Sequence, residues 1–75
     1  MHITNSIEEI YVIGVRDKGY LNNKGQLIND VFQGRIYLDK EEVIKVAKLY
    51  RNTRENSDGT YVRALHVSNA GAIEI

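Results

Sequence analysis

The sequence predicts an α+β fold, in which a small, mainly antiparallel β-sheet carries one helix, at about residues 40–52, across one face. Two observations lead to this prediction. Only the stretch 39–52 has both the periodicity and the capping residue of a helix. The segments on both sides of it are short apolar runs separated by Asn, Asp and Gly, which is typical of strands joined by turns.

The chain has 75 residues, and we expect it to form a single domain in which residues 1–6 are frayed and residues 53–60 form a mobile loop. At 43% apolar and 27% charged residues, its composition is that of a globular protein. There is no Cys, which excludes disulfides and Cys-based metal sites. The first nine residues contain Glu8 and Glu9 but no Lys or Arg, and they lack the apolar stretch of a signal peptide, so we expect a cytoplasmic protein without a membrane segment.

The first predicted strand, Ile7–Val15, is apolar on both faces, which indicates a central position in the sheet. Gly14 within it indicates a bulge or the close approach of another element. A small hairpin pair follows, with short strands at 20–21 and 26–28 between turns rich in Asn and Gly. The segment 31–34 is predicted to be either a helical turn or an irregular connection.

A further strand is predicted at Arg35–Leu38, running directly into the helix at Asp39. Beyond the helix, Tyr61–Ser68 alternates as a strand, and its less bulky face suits packing beneath the helix. That face consists of Val62, Ala64 and His66. Residues Ala72–Ile75 can return as an edge strand. The sequence leaves open whether the helix leads to a parallel or to an antiparallel strand.

The predicted helix has more apolar surface than one sheet requires. At about 100° per residue, its apolar side chains cover an arc of roughly 220°, whereas packing on a sheet needs only about 100°. These side chains are Val43, Ile44, Val46, Ala47, Leu49 and Tyr50. The surplus must be covered by something, and the sequence leaves open whether Val31 and Phe32, the C-terminal hairpin or a second copy of the chain covers it. We expect a protein partner, with a second copy of the chain as the favoured one.

Tyrosine also favours an interface, because five Tyr accompany one Phe and no Trp. Tyr suits positions with one apolar and one wet side, including interface centres, although packing at the edge of a core is an equal alternative. The predicted protein-interface residues are Val46, Leu49, Tyr50, Tyr37 and Tyr61.

No residue pattern predicts catalysis, a metal or a cofactor. His66 is isolated in sequence from other metal-ligating residues, so a structural role is favoured over metal binding. Glu41 and Glu42 are explained as first-turn acids that favour the helix dipole. The serines lack the sequence of a nucleophile elbow, and the dispersed glycines form no phosphate-binding loop. We therefore expect a protein that is not an enzyme and binds no cofactor.

Nucleic-acid binding is the alternative function. Its candidate residues are Lys45, Lys48, Arg51 and Arg54, together with the 53–60 loop. Residues spaced by three drift about 60° per step around a helix, so these side chains fan out rather than form a stripe. The balance of ten basic and ten acidic residues also argues against a dedicated nucleic-acid binder.

The stretch Tyr11–Leu27, with its Gly-Tyr-Leu-Asn-Asn-Lys-Gly segment, and the stretch Arg35–Val43 resemble small accessory proteins of Gram-positive phages and prophages. The resemblance covers about residues 10–50, and it does not extend to the C-terminal segment. It implies a non-enzymatic phage-type protein in the host cytoplasm. Such a protein acts through protein–protein binding, and some inhibit a host enzyme or a defence nuclease. No functional residue is carried over by this resemblance.

Overall fold

The computed structural model describes residues 7–68 and 71–74, and in this part of the chain it shows a four-stranded antiparallel sheet with one α-helix on one face. The elements are β1 (Ile7–Val15), β2 (Gly19–Leu21), β3 (Leu27–Ile28), a 3₁₀ turn (Val31–Gln33), α1 (Lys40–Thr53) and β4 (Thr60–Ser68). The order across the sheet is β3-β2-β1-β4. The predicted α+β fold and the central position of β1 are confirmed.

The longest strand pairing joins β1 to β4. The two strands run antiparallel without interruption from the pair Ile7 and Ser68 to the pair Val15 and Thr60. The helix α1 therefore leads to an antiparallel neighbour of β1, which decides the question that the sequence left open. On its other side, β1 pairs with β2 only through Gly14 and Val15.

The core lies between α1 and the sheet face that carries the odd-numbered residues of β1. Tyr11 and Ile13 of that face pack against Val43 and Ala47 of the helix. Val62 of β4 packs against the same cluster. Of the less bulky face predicted to pack beneath the helix, Val62 does so, whereas Ala64 and His66 are exposed. Burial of the side chains in this cluster supplies most of the driving force that holds the helix on the sheet.

Asp39 caps the helix as the sequence predicts. Its Oδ1 accepts a hydrogen bond from the N–H of Glu41 at 2.9 Å and a longer one from the N–H of Glu42 at 3.5 Å. The turn that leads to β3 is organised in a similar way, because Asn22 Oδ1 accepts from the N–H groups of Lys24 and Gln26, each at 2.9 Å. Both side chains satisfy backbone donors that the chain would otherwise leave unpaired.

Two predicted strands are wrong. Within Arg35–Leu38 only Tyr37 forms a β-bridge, through reciprocal bonds of 2.8 Å with the backbone of Tyr11. The N–H of Arg35 adds a single bond of 2.9 Å to the carbonyl of Leu21 in β2. Strand β2 already occupies that side of β1 at Gly14, so one bridge is all that this segment forms. Residues 71–74 form no strand. The sequence also predicts a turn at 69–71, of which residues 69 and 70 lie outside the described residues, as do residues 1–6, predicted to be frayed, and Ile75.

Gly14 marks a close approach of another element, one of the two alternatives predicted for it. The ring of Tyr61 lies across it on the sheet face away from α1, and a Cβ at this position would lie 2.5 Å from Cζ of that ring. The pairing with β4 continues through Gly14 without a bulge. The tyrosine ring thus replaces the side chain that Gly14 lacks.

We expect Gly14→Ala to lower the free energy of unfolding by about 1 kcal/mol, because the new methyl group displaces the Tyr61 ring. In a Tyr61→Ala background the same change should be neutral or stabilising, because the obstacle is gone and alanine is favoured over glycine in a strand. Urea unfolding of the four proteins of this cycle measures the coupling. Equal costs of Gly14→Ala in both backgrounds would contradict the contact.

Candidate functional site

The apolar arc of α1 is largely covered within the chain. Val46 and Tyr50 are half-buried, and Val46 packs against the core cluster. Ile44 is also half-buried on the opposite flank of the helix. Leu49 alone of the predicted interface residues remains largely exposed, with 64% of its surface accessible. The uncovered apolar surface of the helix therefore consists mainly of one large side chain, Leu49.

The five predicted interface residues do not form one surface. Tyr37 is only 5% exposed and belongs to the core beneath α1. Tyr61 lies on the other face of the sheet, across Gly14. Val46, Leu49 and Tyr50 share the helix. The structure thus places these residues on the helix, inside the core and on the far sheet face.

The four basic residues of the alternative function are all exposed, but they point in different directions. By helical periodicity Lys45 projects about 180° from the buried face, directly away from the sheet. Lys48 and Arg51 project towards the β4 side, where both line a cavity. Arg54 follows the helix as its C-cap, and its guanidinium carbon lies 5.8 Å from the centre of the Tyr50 ring. Of the four, only Lys48 and Arg51 lie next to the same cavity.

The outer edge of β4 is a feature that the sequence analysis did not predict. The N–H of Arg16 donates to the carbonyl of Gly59 at 3.1 Å, which makes these two residues a hydrogen-bonded pair of the β1–β4 ladder. In an antiparallel ladder such pairs alternate with non-bonded ones, so Tyr61, Arg63 and Leu65 also bond to β1. The N–H and C=O groups of Val62, Ala64 and His66 consequently point away from β1. Among the described residues, none bonds to these outward groups.

A small cavity adjoins this edge, between α1 and the first residues of β4. Its volume is about 130 Å³. The residues that line it, called here the β4 groove, are Ile44, Ala47, Lys48, Arg51, Thr60, Tyr61 and Val62. The helix supplies an apolar wall and two cationic side chains, and the strand supplies the opposite wall. The groove and the open edge thus meet at Val62, whose side chain lines the groove and whose backbone groups point outward.

Ser57 anchors the connection that positions the groove. It is only 2% exposed, and its Oγ lies 2.5 Å from the carbonyl oxygen of Arg54 and 2.9 Å from that of Arg51. The carbonyl of Ser57 in turn accepts from the N–H of Thr60 at 3.0 Å. Ser57 therefore ties the C-terminal end of the helix to the first residue of β4, and so fixes the distance between the two walls.

The far face of β4 carries a different cluster. Tyr61 lies there near Tyr20, and the guanidinium carbon of Arg63 is 5.8 Å from the centre of the Tyr20 ring. Burial, together with the neighbouring Tyr20 hydroxyl, raises the pKa of Tyr61 above its ordinary value, whereas Arg63 acts in the opposite direction. Because the folded state holds the hydroxyl proton of Tyr61 more tightly than the unfolded state does, the contribution of Tyr61 to stability falls as the pH rises through the ordinary pKa of tyrosine.

His66 lies opposite Glu9 in the β1–β4 ladder and is exposed. In residues 7–68 and 71–74, no three metal-ligating side chains of the His, Asp and Glu type come together. No helix of this part of the chain is long and apolar enough to cross a membrane.

Comparison with protein-family models, with curated proteins and with solved structures gives no match for this chain.

The orientation of the β4 backbone can be measured residue by residue. We expect the amides of Val62, Ala64 and His66 to exchange with solvent at least about tenfold faster than those of the residues between them, because only the latter bond to β1. Amide hydrogen exchange followed by NMR tests this alternation. The central strand β1 serves as the control, since its amides near Val12 bond on both sides and should be protected uniformly. Uniform protection along β4 would show that its outer edge is covered.

Proposed function

We propose that this chain is a non-enzymatic protein-binding domain that takes up an extended segment of a protein partner along the outer edge of β4. The observation that supports this proposal is the row of outward N–H and C=O groups at Val62, Ala64 and His66. Such a row is the template that strand addition uses, since the backbone groups of the incoming segment complete the ladder.

The edge of β4 lacks the devices that usually protect a sheet edge. Proteins commonly blunt an edge with proline, a bulge, lysine or a very short strand. Strand β4 contains no proline or lysine, and its nine residues pair with β1 in unbroken register. Its one arginine, Arg63, lies near Tyr20 on the face away from the groove. An edge of this length, paired in unbroken register on one side and open on the other among the described residues, is well suited to binding.

The resemblance to small phage accessory proteins suggests how such binding would act. A partner that contributes a strand to β4 is covered by this domain, and a host enzyme or a defence nuclease covered in this way would be inhibited by occlusion. Nucleic-acid binding is the weaker proposal, because only Lys48 and Arg51 of its four candidate residues project to the same side of the helix.

The strand-addition proposal is tested by selection from a random twelve-residue peptide library displayed on phage. The wild-type protein should enrich peptides that Ala64→Pro does not retain. The Ala64 N–H points outward, so the proline removes an edge donor without breaking a bond to β1. Lys45→Glu, on the outer face of the helix and directly away from the sheet, is the matched control and should retain the same peptides.

Two outcomes would contradict this proposal. The first is that the wild type enriches no peptide. The second is that Ala64→Pro, with its fold verified by circular dichroism, retains the same peptides as the wild type. If Ala64→Pro does not fold, His66→Pro takes its place, because the His66 amide also points outward and its side chain is exposed.

Self-association is the second part of the proposal, and it concerns the helix rather than the edge. Light scattering over a dilution series should give the mass of a dimer, with Leu49 at its interface. Leu49→Lys should then give a monomer that keeps the fold, because this side chain is 64% exposed in the single chain. Lys45→Glu, a charge change on the same helix, is the control. A wild-type monomer at every concentration would exclude the dimer.

A further inference from the structure

We infer that the segment taken up by the β4 edge is acidic, with an apolar side chain that enters the β4 groove and a carboxylate, two residues away, that meets Lys48 and Arg51. This inference rests on the proposed function, because it names the chemistry of the partner at the same edge. The position of the groove, its size and its charge support it independently.

The position of the groove couples it to the edge. Val62 directs its backbone groups outward and its side chain beneath the helix, whereas the N–H of Thr60 is already bonded to the carbonyl of Ser57. A strand added along β4 would place every second side chain on that same face, next to the flank of α1 that carries Ile44 and Lys48. Side chains two residues apart in the added strand are therefore the ones that reach the groove.

The size of the groove suits one side chain. Its volume of about 130 Å³ is well below the 300 Å³ or so at which pockets for drug-sized ligands begin. Its wall at Ile44, Ala47 and Val62 is apolar. A single aliphatic side chain of a bound strand fits this description, whereas a cofactor or a nucleotide base with its sugar does not.

The charge of the groove selects among partners. Lys48 and Arg51 are exposed at its rim, no acidic side chain lines it, and neither cation has an ion-pair partner among the described residues. The nearby Asp58 is exposed in the connection before β4 and does not line the groove. Carboxylates of a partner would therefore find two unpaired cations.

The same charges disfavour a second copy of β4 as the occupant of this edge. The sequence of β4, Thr-Tyr-Val-Arg-Ala-Leu-His-Val-Ser, contains a basic residue and a histidine and no acidic residue. Pairing two such strands brings no carboxylate to Lys48 and Arg51. A foreign acidic segment is therefore the favoured occupant.

The test uses three blocked synthetic peptides, acetyl-Thr-Val-Thr-Val-Thr-X-Thr-Thr-amide, in which X is Glu, Gln or Lys. Binding is followed by the NMR shifts of the Val62 and Ala64 amides. The Glu peptide should bind about tenfold more tightly than the Gln peptide, which corresponds to two partly exposed charge contacts, and the Lys peptide more weakly still. Raising the salt concentration should narrow these differences.

Charge reversal provides the matched variants. In Lys48→Glu/Arg51→Glu the order should invert, so that the Lys peptide binds most tightly. Lys45→Glu makes the same type of change on the opposite side of the same helix and should leave all three affinities within about twofold. Because all of these side chains are exposed, the variants are expected to keep the fold.

The outcomes separate the inference from the proposed function. Equal affinity for the three peptides, lost in Ala64→Pro, would overturn the acidic preference and leave strand addition intact. If none of the three peptides binds while the displayed library still yields peptides that need the β4 edge, the acidic preference is likewise overturned and strand addition remains intact. Binding of a twelve-nucleotide single-stranded DNA that is lost on charge reversal but unaffected by Ala64→Pro would overturn both, because the phosphate backbone would then be the occupant.

Discussion

The antiparallel ladder between β1 and β4 is the constraint on which the rest of the structure depends. It joins the first strand to the last one across the whole helical connection, so loop closure must precede the burial of the core. Its register places Val62 opposite Ile13, and both side chains thereby lie on the face that α1 covers. The same ladder pairs one side of β4 with β1 along its whole length and leaves the other side at the outside of the sheet. The position of the core and the open edge therefore both result from this pairing.

Much of the fold could be predicted from the sequence because its signals are local. The cap at Asp39, the apolar periodicity of α1 and the alternation of β4 each depend on neighbouring residues, and all three are confirmed. The two-sided apolar character of β1 also indicated its central position correctly. The segment Arg35–Leu38 shows the limit of this reasoning. Its composition is typical of a strand, but the segment forms only one β-bridge and buries only Tyr37.

The candidate site was less predictable because an open edge is a property of strand order. Nothing in the sequence of β4 distinguishes an edge strand from an inner one, and only pairing with distant β1 makes it outermost. The helix arc was overestimated for a related reason. Val46 and Tyr50 are half-covered within the chain, in directions that an isolated helix does not reveal. Lys48 and Arg51 were identified by their charge, but their relation to the groove required the position of β4.

Strand geometry links the backbone chemistry of the edge to the side-chain chemistry of the groove. In an antiparallel ladder, the residues whose N–H and C=O groups point outward are also the residues that share one face. In β4 these residues include Val62 and Ala64, and their face is the one beneath α1. A segment that bonds to the edge therefore places every second side chain next to the flank of the helix. Affinity would then come from the backbone, which any extended segment supplies, and selectivity from Lys48, Arg51 and the apolar groove between helix and strand.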